Sequence, residues 1–522
     1  MHPHYIADFS SSVINVADII PAIMKIYWEN LRTDPNDILK SLPAPTDGPY
    51  KPTWDSLKNY RVPKWFSDSK LGIFIHWGPY SVPAYSNEWY PRHMYDTTRP
   101  EHEYHIKTYG PLTEFGYKDF IPMFTAENWD PDEWAKIFEK AGAKFVLFVA
   151  EHHDGYALWD SSYTRWCAAR IGPKRDIVKE LKIAVENRGL IFGVSYHRAE
   201  HWFYFEPGMR IESDVKDPKY YDLYGPAKPA SQEPRAPPGP DNIPPDRQFL
   251  NDWILRLVEL VEKYRPWLVY FDWWIANPVF EPYLKAFAAY YYNRCYRWGI
   301  EPVLIYKWGA YPEGTAVSDS ERGTRRDIQP MPWSADTSVT YRGWGYVKDG
   351  EYKPPEQIIS HMLDVVSKNG VFILNIGPKP DGTLAEEQMK ILNNVGEWMK
   401  LYSEAVYGTK PWSVYGEGPT DIYKVKEKEF NLTSEDVRYT VRDLYPLGKA
   451  IYASILGKPQ DTVKLRALGR NMRLVRGEII DVALLSNKEK IAWEWTNEAL
   501  VVKLPTTDVR YPISLRVLVK EH

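Results

Sequence analysis

Asp272 closes the run Leu268-Val269-Tyr270-Phe271-Asp272-Trp273-Trp274, in which four apolar or aromatic residues lead to a carboxylate beside indoles. Such a run has the pattern of a buried parallel strand, which has no need of a charge. An acid capping the next helix is the bland explanation. A carboxylate at a strand end, walled by rings, is also where a sugar-processing enzyme keeps a nucleophile. The surrounding residues favour chemistry. His76 ends Ile75-His76-Trp77-Gly78, Glu88 and Trp89 lie in Ser86-Asn87-Glu88-Trp89-Tyr90, and Glu151-His152-His153-Asp154-Gly155-Tyr156 follows. Tyr196-His197-Arg198 leads into His201-Trp202, and Lys307-Trp308-Gly309 ends a later apolar run. Five of the twelve histidines (His76, His152, His153, His197, His201) fall at or just beyond such strand ends, so they are expected on one rim.

Two chemistries suit that rim. Histidines with carboxylates could hold a metal. Alternatively, imidazoles and acids hydrogen-bond the hydroxyls of a sugar while tryptophan covers its apolar face. Adjacent histidines seldom ligate one ion, no zinc spacing is present, and tryptophan is abundant. A glycan site without metal or other cofactor is the favoured reading.

The elements that must position these residues alternate. Leu71–Trp77, Phe145–Glu151, Ile191–Tyr196, Leu268–Phe271, Val303–Tyr306 and Val371–Asn375 read as strands. Helices are expected over Pro131–Lys140, capped by Asp130, over Ile177–Asn187, ended by Gly189, and over Phe249–Tyr264 and Phe280–Trp298. This alternation implies an α/β fold, an irregular (β/α)8-like barrel of the TIM type, whose C-terminal strand ends carry the chemistry. Two of the eight usual units are hard to see between Ala310 and Tyr346. A polar, Pro-rich stretch from Trp202 to Asp246 should loop over the active face. From about Pro411 short alternating runs (Tyr439–Val441, Ala450–Leu456, Thr462–Leu468, Leu500–Leu504, Ile513–Val519) point to a small all-β sandwich. The expected organisation is an N-terminal helical extension over 1–58, the catalytic barrel over 59–410 and the β-sandwich over 411–522.

Composition excludes several classes. Of 522 residues, 65 are basic and 69 acidic, with no block of like charge, so neither nucleic acid nor an anionic membrane is an expected partner. Cys167 and Cys295 make no disulfide framework. Val13–Trp28 is apolar but carries Asp18, Pro21 and Lys25 and lacks a cleavage site; it reads as an amphipathic helix rather than a signal peptide. A cytoplasmic protein is expected, with that helix offering a surface for a homo-oligomer. Few Gln beside many Lys, Glu and Pro suit a heat-adapted protein.

Taken in order, the motifs resemble the retaining α-L-fucosidases of glycoside hydrolase family 29. The resemblance spans roughly residues 60 to 412. It rests on Trp65-Phe66, Lys70 to Gly78, Tyr80 to Tyr85, Asn87 to Tyr90 and His152 to Tyr156. It continues through Asp319-Ser320-Glu321-Arg322-Gly323, Trp344-Gly345-Tyr346, Val366 to Gly370 and Leu374 to Pro378. The resemblance implies Asp272 as nucleophile. It implies His76, Glu88, Trp89, His152, His153 and Tyr196 as lining of a fucose pocket, and Trp344 against the sugar's methyl group. Lys307 stands where many members have Arg and is expected to bind substrate. The acid/base varies in position within the family; Glu321, 49 residues after Asp272, is the choice, with Glu88 the other candidate. Some members carry Glu directly after a Pro-Trp pair, where this chain has Ser334. The implied activity is retaining exo-hydrolysis of fucosylated glycans. An enzyme for a related sugar such as an α-L-galactoside, or a non-catalytic sugar-binding barrel, are the alternatives.

Overall fold

Buried on both faces, the apolar runs pair as parallel strands in the computed structural model, which describes residues 34–42, 47–446, 448–487, 491–505 and 512–521. They are β1 (Leu71–Ile75), β2 (Phe145–Glu151), β3 (Ile191–Tyr196), β4 (Leu268–Phe271), β5 (Val303–Tyr306), β6 (Val317–Ser318), β7 (Trp333–Ser338) and β8 (Gly370–Ile376). Their order is β6-β5-β4-β3-β2-β1-β8-β7. The ring closes between β6 and β7 by one parallel bridge, Asp319 to Ser334, with the Ser320 N–H donating to the Ser334 carbonyl at 2.9 Å. This is the expected barrel, and its irregular quarter, β6 and β7, lies between Ala310 and Tyr346, where two units are hard to see in the sequence.

Six helices cover the ring: α1 (Pro131–Lys140), α2 (Ile177–Asn187), α3 (Arg247–Tyr264), α4 (Glu281–Trp298), α5 (Pro355–Ser367) and α6 (Glu386–Tyr402). Asp130 caps α1 by accepting from the Asp132 and Glu133 N–H groups. Among the described residues no α-helix separates β5 from β6 or β6 from β7. The usual alternation therefore breaks there, and β6 is only two residues long.

Strand parity sorts the side chains. Phe74, Leu147, Leu268, Tyr270, Val303, Ile305, Val371 and Ile373 fill the barrel interior as one apolar cluster. Their neighbours Ile73, Phe148, Val194, Tyr196, Phe271, Leu304 and Phe372 face the helices in a second, larger cluster. Continuing the inward parity one step past each strand puts His76, His197, Asp272 and Lys307 at the top of the interior.

The stretch from Trp202 to Asp246 folds onto the rim through short helical turns. The Trp202 and Trp274 indole N–H groups donate to the carbonyls of Ile243 and Ser231 at 2.7 and 3.0 Å. Before the barrel, the side-chain amide of Asn293 on α4 accepts from the Tyr50 backbone N–H at 3.0 Å and donates to the Tyr50 carbonyl at 2.8 Å. The amphipathic helix expected over Val13–Trp28 lies outside the described residues. Beyond α6 the chain forms two antiparallel sheets, of five and three strands, beginning at Lys410. One residue of this region, Glu427, reaches back to Thr337 of β7, Lys353 and Arg322.

Behind the rim a buried ion cluster ties β2 to α3. Arg198 donates to Glu151 at 2.6 Å and to Asp252 at 2.7 Å, and Arg256 joins Asp252 at 3.1 Å. Removing one partner strands the others in a low dielectric. Arg198→Met is expected to lower the free energy of unfolding by about 3 to 5 kcal/mol, measured by denaturant titration. A loss under about 1 kcal/mol would mean that the cluster carries no structural weight.

Candidate active site

Asp272 follows β4 directly and turns its side chain into the top of the barrel. It occupies the cap position of a short 3-10 turn but makes no capping hydrogen bond, so the bland explanation for it fails. Its Oδ1 instead accepts from Lys307 Nζ at 3.1 Å. On the other oxygen, His197 Nδ1 lies at 3.4 Å and His153 Nε2 at 3.6 Å.

The same ammonium donates to Glu321 Oε2 at 2.9 Å and lies 3.6 Å from Asp336 Oδ2. Asp272 and Glu321 thus share a donor, and their oxygens stand no farther apart than those two hydrogen bonds laid end to end. Tyr270 inside the barrel donates to Asp336 at 2.8 Å, and Ser334 donates to Asp319 at 2.6 Å. Lys307 was expected to bind substrate; it lines the pocket, but its ammonium is occupied by carboxylates.

These contacts separate the charge states. Burial would raise the Asp272 pKa, but Lys307, then His197 and His153, reverse this and hold it well below the ordinary value. Burial also raises Glu321; Lys307 opposes this, while the negative charges of Asp336 and Asp272 reinforce it, and the net shift is upward. The Glu321 side chain remains 35% exposed at the pocket mouth, which limits that shift. Burial works against the charge on Lys307, yet Asp272, Asp336, Glu321 and Asp319 together hold it protonated.

Phe74, His76, Glu88, Trp89, His152, His153, His197, Trp273 and Trp344 complete the wall around Asp272, Lys307, Glu321 and Asp336. His76 Nδ1 pairs with Asn375 at 2.7 Å, and burial holds His76 and His152 neutral. His152 Nδ1 has no partner, a free nitrogen suited to a hydroxyl. Glu88 Oε2 accepts from the backbone N–H of Trp344 at 2.7 Å and of Gly345 at 3.3 Å, fixing the wall opposite. The Arg322 guanidinium stacks 4.7 Å from the Trp344 ring centre. Two sets, His76 with His152 and His197, and His153 with His197 and Asp272, bring ligand-type atoms within 4.8 Å of one another. Either could hold a cation, but His197 and Asp272 are the groups already facing each other beside Lys307.

An ionised carboxylate, a second carboxyl pushed towards its neutral form, and a ring of imidazoles and indoles form a site able to cleave a glycosidic bond. The family model for alpha-L-fucosidase matches residues 38–404. The chain belongs to the α-L-fucosidase family. It is a glycoside hydrolase. The plasma alpha-L-fucosidase of Pongo abelii is 30% identical over 474 residues, covering 89% of this chain and 90% of its own. The tissue enzyme of Bos taurus is 32% identical over 392 residues, covering 73% and 76%. Among solved structures, the alpha-fucosidase of Thermotoga maritima is 29% identical with a TM-score of 0.69, covering 90% of this chain and 100% of its own.

Of the residues expected in the fucosidase pocket, His76, Glu88, Trp89, His152, His153, Asp272, Lys307, Glu321 and Trp344 converge. Tyr196 does not. It has the outward parity of Phe192 and Val194, packs against Trp253 and donates to that residue's carbonyl at 3.0 Å. His197, one residue on, takes the inward place. Sequence reasoning also missed Trp273 and Asp336 as pocket lining; the inward parity that places Asp272 and Lys307 would have separated His197 from Tyr196. Tyr196→Phe is expected to keep kcat/KM within about twofold while costing about 1 kcal/mol of stability. A hundredfold loss of activity with unchanged substrate-free stability would return Tyr196 to the pocket.

Proposed function

We propose that this protein is a retaining exo-α-L-fucosidase with Asp272 as nucleophile and Glu321 as acid/base. One observation carries the reading: a single buried ammonium lies between these two carboxyls while their surroundings drive their protonation apart. Retaining enzymes need two carboxyl groups about 5 to 5.5 Å apart, a separation that a shared donor permits.

In the first step Asp272 attacks the anomeric carbon, the glycosidic bond breaks, and Glu321 gives its proton to the departing oxygen. Lys307 stays protonated throughout and keeps Asp272 ionised in the free enzyme. The product is a fucosyl ester on Asp272. In the second step Glu321, now charged, takes a proton from water as its oxygen attacks the same carbon, and the ester bond to Asp272 breaks. Two inversions leave the starting configuration.

Glu88 is the competing acid. Its Oε2 is engaged with the Trp344 and Gly345 N–H groups, and Lys307 pairs with Glu321 instead, which supports a positioning task for Glu88. Fucose as the sugar is supported by the family and by a Thermotoga maritima relative whose structure was solved in complex with fucose. A small pocket lined by Trp89, Trp344 and the histidines suits one terminal ring, which supports exo action.

Asp272→Gly should lose roughly a thousandfold or more in turnover of an aryl α-L-fucoside. External azide should restore turnover and yield the β-fucosyl azide. Glu321→Ala should lose far more on poor leaving groups than on activated aryl fucosides, and proton NMR should show retained configuration. If Glu88→Ala shows the leaving-group dependence and Glu321→Ala does not, the acid is Glu88.

A pH profile tests the electrostatics. The reactive form has Asp272 ionised and Glu321 protonated, so activity falls in acid as Asp272 gains a proton and in alkali as Glu321 loses one. Asp336 raises the Glu321 pKa by its charge. Asp336→Asn should therefore move the alkaline limb of kcat/KM to lower pH. A limb that stays put or moves upward would contradict the arrangement.

A further inference from the structure

Outside the pocket lining, but directly beside it, stands an exposed tryptophan. Trp308 follows Lys307, is 50% exposed, and adopts the left-handed backbone region at φ +53°. A bulky residue is rarely held there, and an exposed indole gains little from burial. Its neighbours make it a built feature rather than a stray ring. Trp308 lies 5.2 Å, ring centre to ring centre, from Trp273, which follows Asp272 and lines the pocket. Arg235, brought over by the Trp202 to Asp246 stretch, donates one guanidinium nitrogen to the carbonyls of Trp308 and Gly309 at 2.7 and 3.1 Å. That clamp holds the backbone turn and with it the ring.

Arg235 and Gly309, the two ends of one of these hydrogen bonds, also line a neighbouring groove of about 270 Å³ with the polar residues Asn277 and Glu281. The Trp308 indole lies outside that lining and offers an exposed apolar face beside it. A pyranose presents both kinds of surface, with C–H bonds on one face and hydroxyls at the edge.

We propose that Trp308, backed by Trp273 and clamped by Arg235, is the platform for the sugar to which the departing fucose is attached. This rests on the fucosidase reading above and adds to it a binding site for the leaving pyranose. Binding energy from a remote part of the substrate can be spent at the reacting carbon, so loss of the platform should lower kcat as well as raise KM, and kcat/KM falls.

The test compares a fucosyl disaccharide with methyl α-L-fucoside, which has an alkoxide leaving group but no second ring. In Trp308→Ala the ratio of kcat/KM for disaccharide over methyl fucoside should fall about tenfold. Trp308→Phe should recover most of it, and Arg235→Ala should lower it in the same direction. An unchanged ratio in Trp308→Ala, with the wild type cleaving both substrates, overturns the platform and leaves the fucosidase reading intact. A wild type that cleaves neither overturns both.

Discussion

A lysine ammonium buried among carboxyls is the interaction on which the rest depends. Lys307 contacts Asp272, Glu321 and Asp336 within 3.6 Å. Desolvation would penalise each charge separately, and together they compensate one another. The outcome is asymmetric because Asp272 has two imidazoles on its far oxygen, whereas Glu321 faces further negative charge and the open mouth. A compact point charge suits this task. A planar guanidinium commits its fork to one carboxylate, while an ammonium can divide three protons among neighbours. Lys at position 307 therefore has a physical consequence here that Arg would not share.

The walls are held by independent supports. Trp344 is fixed at its backbone by Glu88 and over its ring by Arg322, which in turn donates to the carbonyls of Thr340 and Gly343. Glu427, from the region after the barrel, lies 3.4 Å from Arg322 and pairs with Lys353. The C-terminal part of the chain thus buttresses the side of the pocket that carries Glu321. That is the side where the ring of strands is thinnest. A barrel closed by a single bridge between Asp319 and Ser334 needs outside support, and α5 supplies more through Asp364, which pairs with Arg438 at 2.6 Å.

Much of this was legible in the sequence, for identifiable reasons. Six strands were continuous apolar runs because both their faces are buried, and their polar ends marked the rim. β6 was too short for any period to show. β7, Trp-Ser-Ala-Asp-Thr-Ser, is fully buried yet polar at four of its six residues, because Ser334 pairs with Asp319, Asp336 and Ser338 face the site and Thr337 meets Lys353 behind it. Asp336 was hidden with its strand. Asp272, His76 and Lys307 were readable from strand ends alone. The convergence of Glu321 on Lys307 was not, since a loop between two illegible strands sets it. Tyr196 shows the limit of motif matching: one residue of register exchanges the pocket for the helix layer.

The claim that matters most is the division of protons at Lys307, and neutron diffraction of the deuterated enzyme at a series of pH values observes it directly. The account predicts three deuterons on Lys307 Nζ throughout and, as the pH falls, a deuteron on the Glu321 carboxyl before any on Asp272. A deuteron on Asp272 while Glu321 is still bare would contradict it.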